Sequence, residues 1–452
     1  MPAVRLRNEK TRRPREHTVD EIRYILVADF VPIANRGEEA IVRGIEDMLA
    51  EGRPVELGVF GEVSQVTRQG NITIFPREWL FRSEGNASLS GLRRVWLQAR
   101  IAAELRLGMY GRLRNLTSGG SAGCRALQEF FDRAEYVLVG HDGVFCVESC
   151  GIIRLAKRHG KRAGILGAST GIGAGRFYKS GLYRRTLAES DFCVFRERYS
   201  RESMGQVCRD PGALILAPDP AFAMRPAPPE AAREVLESQE PYRLARQAGR
   251  PIVAVTVLEK GRVYAGFRPD LHGRAKKDAH AQYLATILGD LVEKHHAFAL
   301  FLPHSVEKSG NDIEAARHVA ERMNAGQEDF VILQKDCSAR LLKGMIRECD
   351  FLIGERTHSL IGGTSVGTPF AAMTNREDTR THGIIGEMCR CQEQIIDMDL
   401  TDAQGASRRI LELFENREAI RVSLEKIRDE LSKQIQYVAH LVKGRRGEHR
   451  KP

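Results

Sequence analysis

The chain has no apolar run long enough to cross a membrane. A spanning helix needs ~20 consecutive apolar residues, whereas "HAFALFLP" (296–303) is among the longest stretches here. A secretory leader is not expected either, because the basic N-terminus "MPAVRLRNEKTRRPREHTVDE" has no apolar segment behind it. A disulfide framework is equally unsupported. The nine cysteines, at 124, 146, 150, 193, 208, 337, 349, 389 and 391, are odd in number and scattered, several within apolar stretches such as "DFCVF". That usage predicts reduced core thiols and a cytoplasmic setting. Cys146/Cys150 and Cys389/Cys391 are pairs, but no His or Cys partner stands at zinc-ribbon spacing, so no metal is expected. No nucleic-acid-binding motif is present, and a basic pI alone does not make a nucleic-acid partner.

What is present is a long, charged, globular chain. Its 452 residues exceed one ordinary core, so two domains are expected. The net charge of +10 collects at residues 5–15, in "LRRVWLQARIAAELRLGMYGRLRNL" (92–116) and in the tail "KGRRGEHRK". The middle stretch sets arginines among Leu, Trp, Ile and Met at helical spacing. A helix packed on its domain with arginines outward accounts for it. Trp96, Leu97, Ile101 and Met109 would also suit peripheral contact with the inner face of a membrane.

Strand-like and helix-like segments alternate from "RYILVADF" (23–30) to "ALILAPDPAF" (213–222), which predicts a parallel sheet covered on both faces. A proline-rich, charged stretch (225–251) interrupts the pattern, which restarts at "PIVAVTVLE". The expected organisation is a basic tail (1–20), a Rossmann-like doubly wound domain (21–230) and a linker (231–250). A second such domain (251–400), a C-terminal helix (401–443) and a basic tail (444–452) follow. Two such domains turn their strand C-termini towards a shared cleft.

Every candidate site segment follows a strand. In "NRGEEA" (35–40), Asn35 and Gly37 precede two glutamates at a helix start; capping explains one acid, and Glu38 is favoured for function. "GASTGIGAG" (167–175) offers Gly167, Ser169 and Gly171 to an anion, although it matches neither the P-loop nor the dinucleotide fingerprint. Arg196 ends a buried strand and could grip an anion bidentately. Asp219 in "APDPAF" reads as a turn former, and His304 in "LPHS" stands at another strand end. "GERTHSLIGG" (354–363) brings Arg356, His358 and Ser359 to a helix start. A guanidinium, an imidazole and free N–H groups then converge on one point, which calls for an anion.

In this order, "NRGEEAIVRGI", "GASTGIG", "FRERYS", "DPAF", "LPHS" and "CDFLIGERTHSLIGGTSVGTPFAAMT" resemble the polysaccharide pyruvyl transferase family, over roughly Ile25 to Gly386. The resemblance implies a glycosyltransferase-B-like fold with the active site between its domains. It implies transfer of a pyruvyl group from phosphoenolpyruvate to two hydroxyls of a saccharide acceptor, free or lipid-linked, with release of phosphate. Carried over, Arg196, Arg356 and His358 would hold phosphoenolpyruvate, and Glu38 would fill the acidic position of the first motif. Where the family often has three glycines this chain reads "GHDG" (140–143), so His141 and Asp142 are expected to face the cleft. The family's lysine after the Gly-x-Pro strand is not evident; Arg376, Arg380 and His382 are the candidates to replace it.

The residue types suit the reaction. Protonating the methylene carbon of the donor needs an acid, and the attacking hydroxyls need a base. His358 is expected to bind phosphate and donate the proton, with Glu38 as base and no cofactor. Two other readings share the architecture: a glycosyltransferase with a nucleotide-sugar donor, and a non-catalytic saccharide-binding relative.

Overall fold

The computed structural model describes residues 22–32, 34–81, 91–106, 111–117, 124–141, 145, 147–169, 176–306 and 311–444. Gly171, Asp142 and Met109 lie outside them, as do both basic tails.

Eight strands build the first sheet: β1 (Arg23–Phe30), β2 (Val55–Gly61), β3 (Thr67–Gln69), β4 (Ile72–Pro76), β5 (Tyr136–Val139), β6 (Arg162–Ala168), β7 (Cys193–Phe195) and β8 (Leu214–Leu216). Their order is β3-β4-β2-β1-β5-β6-β7-β8, parallel except for the β3–β4 pair. Along β1, Ile25 and Val27 enter one core while Leu26 and Ala28 enter another. Burial on both faces is why this strand reads as a continuous apolar run.

The second sheet holds β9 (Ile252–Thr256), β10 (Phe298–Phe301), β11 (Phe330–Ile332), β12 (Phe351–Gly354), β13 (Phe370–Thr374) and β14 (Ile395–Asp397). Its order is β11-β10-β9-β12-β13-β14, parallel throughout. In both sheets the order reverses at the first strand, which opens a crevice at the strand C-termini. These are the two doubly wound domains expected from the alternating pattern.

The proline-rich stretch is more ordered than a bare linker. Two helices, Pro229–Glu237 and Glu240–Gln247, fill it. They pack on the second domain, where Tyr242 meets Phe298 edge-on and the Ala227 N–H donates to the Arg340 carbonyl (2.8 Å). The C-terminal segment is two helices, Ala403–Glu415 and Arg417–Lys443, meeting at Asn416. The second returns to the first domain, where Arg162 donates to the Leu441 and Val442 carbonyls (2.8 and 3.1 Å) and Lys443 pairs with Glu51 (3.1 Å). Between this helix, Asp47 and Met48, and the chain at Phe222–Arg225 runs a groove of ≈ 520 Å³.

The Arg-rich helix is Gly91–Arg106. Ile101, Ala102 and Leu105 are buried, whereas Trp96 is 64% exposed with the Arg100 guanidinium over its ring (5.7 Å). Among the described residues no helix is long and apolar enough to span a membrane. The described cysteines are free thiols, buried except Cys208.

The helix Arg36–Leu49 lies between the domains. Asn35 caps it by accepting from the Gly37 N–H (3.1 Å), and its inner face carries buried Ile41, Ile45 and Met48. Gly44 lets it settle on the turn Pro220–Ala223, for a Cβ there would stand 1.9 Å from the Pro220 carbonyl oxygen. Gly44→Ala should therefore destabilise the protein by about 1–3 kcal/mol through overpacking. That reverses the gain of ~1 kcal/mol a free helix draws from the same change. Thermal unfolding monitored by circular dichroism checks the sign.

Candidate active site

Strand β1 delivers the start of the helix Arg36–Leu49 to the edge of the second domain. The Arg36 N–H donates to the His304 carbonyl (2.8 Å), and Asn35 and Ser305 form an isolated antiparallel bridge. The two glutamates that follow then diverge. Glu39 accepts from the Ala339 N–H of the second domain (3.0 Å) and from Arg36 (2.9 Å), so it fastens the domains together. Glu38 faces the cleft, and its Oε2 lies 2.7 Å from His141 Nε2 at the end of β5. Burial pushes the Asp29 carboxyl, next to His141 at the end of β1, up to about 7, against the opposing pull of His141.

From the second domain, β12 delivers the helix Thr357–Val366 with Arg356 at its N-cap. The Arg356 guanidinium makes a two-point pair with Asp312 (Nε–Oδ2 3.1 Å) while still lining the cleft. Burial holds the Asp312 carboxyl above its ordinary value despite Arg356, and it also accepts from the backbone of His304 and Ser305 (2.9 and 3.0 Å). The His358 ring abuts Gly37, where a Cβ would stand 2.5 Å from Nδ1. Its Nε2 is buried, 3.8 Å from Asp219 Oδ2.

The cleft encloses ≈ 200 Å³ and is lined by Asn35, Gly37, Glu38, Lys260, His304, Arg356, Thr357, His358 and Arg380 among others. It sits at the reversal point of the second sheet, beside the strand ends of β9, β10 and β12. Cationic groups and the start of a helix face Glu38 across it, and the buried Glu355 carboxyl, bonded to His280 (2.6 Å) and the Leu258 N–H (2.8 Å), also lies in the lining. Such a cleft can hold a small anion and present a base to it.

Several predicted residues stand elsewhere. Arg196 was expected at the cleft, but its side chain is 1% exposed and donates to Ser169 (2.6 Å) and Asp219 (2.6 Å). Ser169 is thereby a partner of Arg196. Gly167 serves the backbone: its φ of +74° places it where a Cβ would meet Pro220 Cδ at 2.6 Å. Ser359 is fully buried and bonds the Arg356 carbonyl and Thr256 (2.7 and 2.8 Å). His304 does line the cleft, and its Nδ1 meets the Leu302 carbonyl (3.0 Å), which makes Nδ1 the donor and Nε2 the acceptor. Burial, reinforced by Arg356, His358 and Arg36, lowers its pKa to about 4, so the ring is neutral near pH 7.

Two residues go beyond the expectation. Asp219 caps the turn after β8, accepting from the Ala221 N–H (2.8 Å), and it also joins Arg196 to His358. Burial raises its carboxyl, but Arg196, His358 and the Ala221 N–H together outweigh that and hold it at about 2. Lys260 lines the cleft from the loop after β9; its signal was the strand end in "VLEKGR".

The fold defines a class: two parallel-sheet α/β domains arranged as in glycosyltransferase-B proteins. An α,α-trehalose-phosphate synthase (UDP-forming) from Burkholderia xenovorans in complex with glucose-6-phosphate matches with a TM-score of 0.53 and 12% identity, over 94% of this chain and 100% of that one. A putative UDP-N-acetylglucosamine 2-epimerase from Listeria monocytogenes matches with a TM-score of 0.50 and 12% identity, over 95% and 98%. At such identity the likeness is one of fold. No curated protein matches the chain. The family model for polysaccharide pyruvyl transferase matches residues 35–377, and the chain belongs to that family.

Gly37→Ala should abolish turnover and also cost about 1–3 kcal/mol of stability through overpacking, because the methyl group takes the place of the His358 ring edge. Turnover and unfolding temperature, measured on one preparation, separate those effects. His304 makes a second test. Its folded pKa of about 4 lies below the ordinary 6.5, so its contribution to stability is present above pH 6.5 and lost as pH falls towards 4. Asp29 runs the other way over much of that window, since its folded pKa is raised from 3.8 to about 7. The measurement is therefore a difference: His304→Gln should lose less stability than the wild type between pH 6.5 and 4 in urea titrations.

Proposed function

We propose that the chain transfers a pyruvyl group from phosphoenolpyruvate to two hydroxyls of a sugar, forming a ketal and releasing phosphate. The observation that carries this reading is the content of the cleft: Lys260, Arg356, Arg380 and His358 around ≈ 200 Å³, with Glu38 opposite. Phosphoenolpyruvate is small and carries both a phosphate and a carboxylate. A nucleotide sugar is larger than the drug-sized ligands that occupy pockets of ~300–1,000 Å³. Membership of the family supports the same choice.

In this reading Arg356 and the N-terminus of its helix hold one anionic group, with Lys260 and Arg380 placed for the other. His358 delivers a proton to the methylene carbon, and the centre that forms is oxocarbenium-like. Glu38 takes the proton of the attacking hydroxyl. A second hydroxyl then displaces phosphate. Arg196 acts one step back from the donor: it fixes Asp219, which in turn sets a permanent negative charge beside the His358 ring. His304 presents a neutral acceptor, matched to a sugar hydroxyl and unsuited to phosphate.

Phosphoenolpyruvate without added divalent cation should raise the melting temperature by ligand linkage, and Arg356→Ala should remove the shift. Glu38→Gln should keep the shift and lose turnover, because an amide preserves the shape of the carboxylate but takes no proton. A large shift with UDP- or GDP-sugars and none with phosphoenolpyruvate would install a nucleotide-sugar donor instead.

A further inference from the structure

We propose that His141 is a proton relay and positioning residue for Glu38, with Asp29 as its anchor. The relay rests on the pyruvyl-transfer reading and goes beyond it.

Seen from the cleft, His141 stands directly behind Glu38. The ring is 1% exposed, and its Nε2 is 2.7 Å from Glu38 Oε2, an ion-pair contact at proton-transfer distance that a small turn of the ring would align as a hydrogen bond. Its backbone is pinned from β1: the His141 N–H donates to Asp29 Oδ2 (3.0 Å), and Ser149 Oγ stands at 3.5 Å from the other oxygen. Glu38, His141 and Asp29 come from three chain segments that meet where the order of the first sheet reverses. Burying a carboxylate–imidazole pair costs desolvation that an apolar pair of similar volume would avoid. A use for the pair is therefore called for.

Ketal formation supplies one. Each turnover breaks two sugar O–H bonds, the π bond of the donor's C=C and the C–O bond that carries the phosphate group. It forms two C–O bonds to carbon, one C–H bond on the former methylene, and one O–H bond on the departing phosphate. A base that serves both hydroxyls must take up a proton twice, and a carboxylate still protonated from the first attack cannot assist the second. His141 clears it. Glu38 takes the first hydroxyl proton and passes it to the imidazole, whose cation is then opposed by the carboxyl groups of Glu38 and Asp29. Glu38, ionised again, receives the second. Of the two protons so held, one leaves on phosphate and the other replaces, through solvent, the proton His358 gave to carbon.

His141→Gly removes the relay and leaves a space the size of its ring; His141→Gln retains a hydrogen-bonding group of similar reach that cannot shuttle a proton. Phosphate release from phosphoenolpyruvate is followed with a panel of methyl hexopyranosides bearing free diols. Both variants should lose turnover by ~10²-fold while keeping the melting shift with phosphoenolpyruvate. Added imidazole should restore a good part of the turnover of His141→Gly and none of that of His141→Gln. Wild-type turnover in the Gln variant overturns the relay whether or not the Gly variant folds, and so does a folded Gly variant that ignores imidazole. A wild-type protein that releases no phosphate with any of these sugars overturns the pyruvyl-transfer reading itself, a result distinct from loss in the variants alone.

Discussion

The approach of one helix start to the opposite domain underlies the rest of the site. Where Asn35, Arg36 and Gly37 leave β1, they meet the His304 carbonyl, Ser305 and the His358 ring within hydrogen-bond or van der Waals distance. No side chain fits at residue 37, so glycine there is a demand of the interface more than of backbone conformation. The same contact aims Glu38 inward and Glu39 across the boundary. Neighbouring, chemically identical residues thus acquire different work from a rotation of about 100° along the helix.

Behind the cleft the buried charges form chains. Arg196, Asp219 and His358 run from the first domain into the second, and Arg356, Asp312 and the His304 backbone form a second series. Isolated buried charges are costly, whereas partnered ones hold each other in place. The side chains at the cleft surface are accordingly held from behind, which is what a site needs to present charge without rearranging.

Much of this was legible in the sequence. Continuous apolar strands alternating with helices carried the two sheets, and every cleft residue lies just after a strand end. Glu38, Arg356, His358 and His304 were found there because strand-end position and residue chemistry are both local signals. What was not legible depends on distance along the chain. Arg196 looks like a surface grip until Asp219 and Ser169 close on it. Asp219 reads as a turn former because that is half of its work. The contact of Glu38 with His141 joins positions far apart: "GHDG" points the histidine towards the cleft, and only the fold sets it against Glu38. Ser359 stands beside Arg356 and His358 in sequence, yet its side chain turns inward to Thr256.

The chain passes between the domains twice, through Met224–Ala227 and again through the helix Arg417–Lys443, and both crossings border one groove. Asp47 and Met48 border that groove, whereas Gly37 and Glu38 border the cleft at the other end of the same helix. At 1.5 Å per residue, those ends are ~15 Å apart. Two crossings side by side define an axis, and a rigid helix standing off from it is a lever arm. With both crossings at the groove, a rotation that parted the domains at the cleft would have its spine there. A turn of about 20° about that spine would part the Arg36–His304 contact by roughly 5 Å, enough to admit a small anion while the pages remain bound.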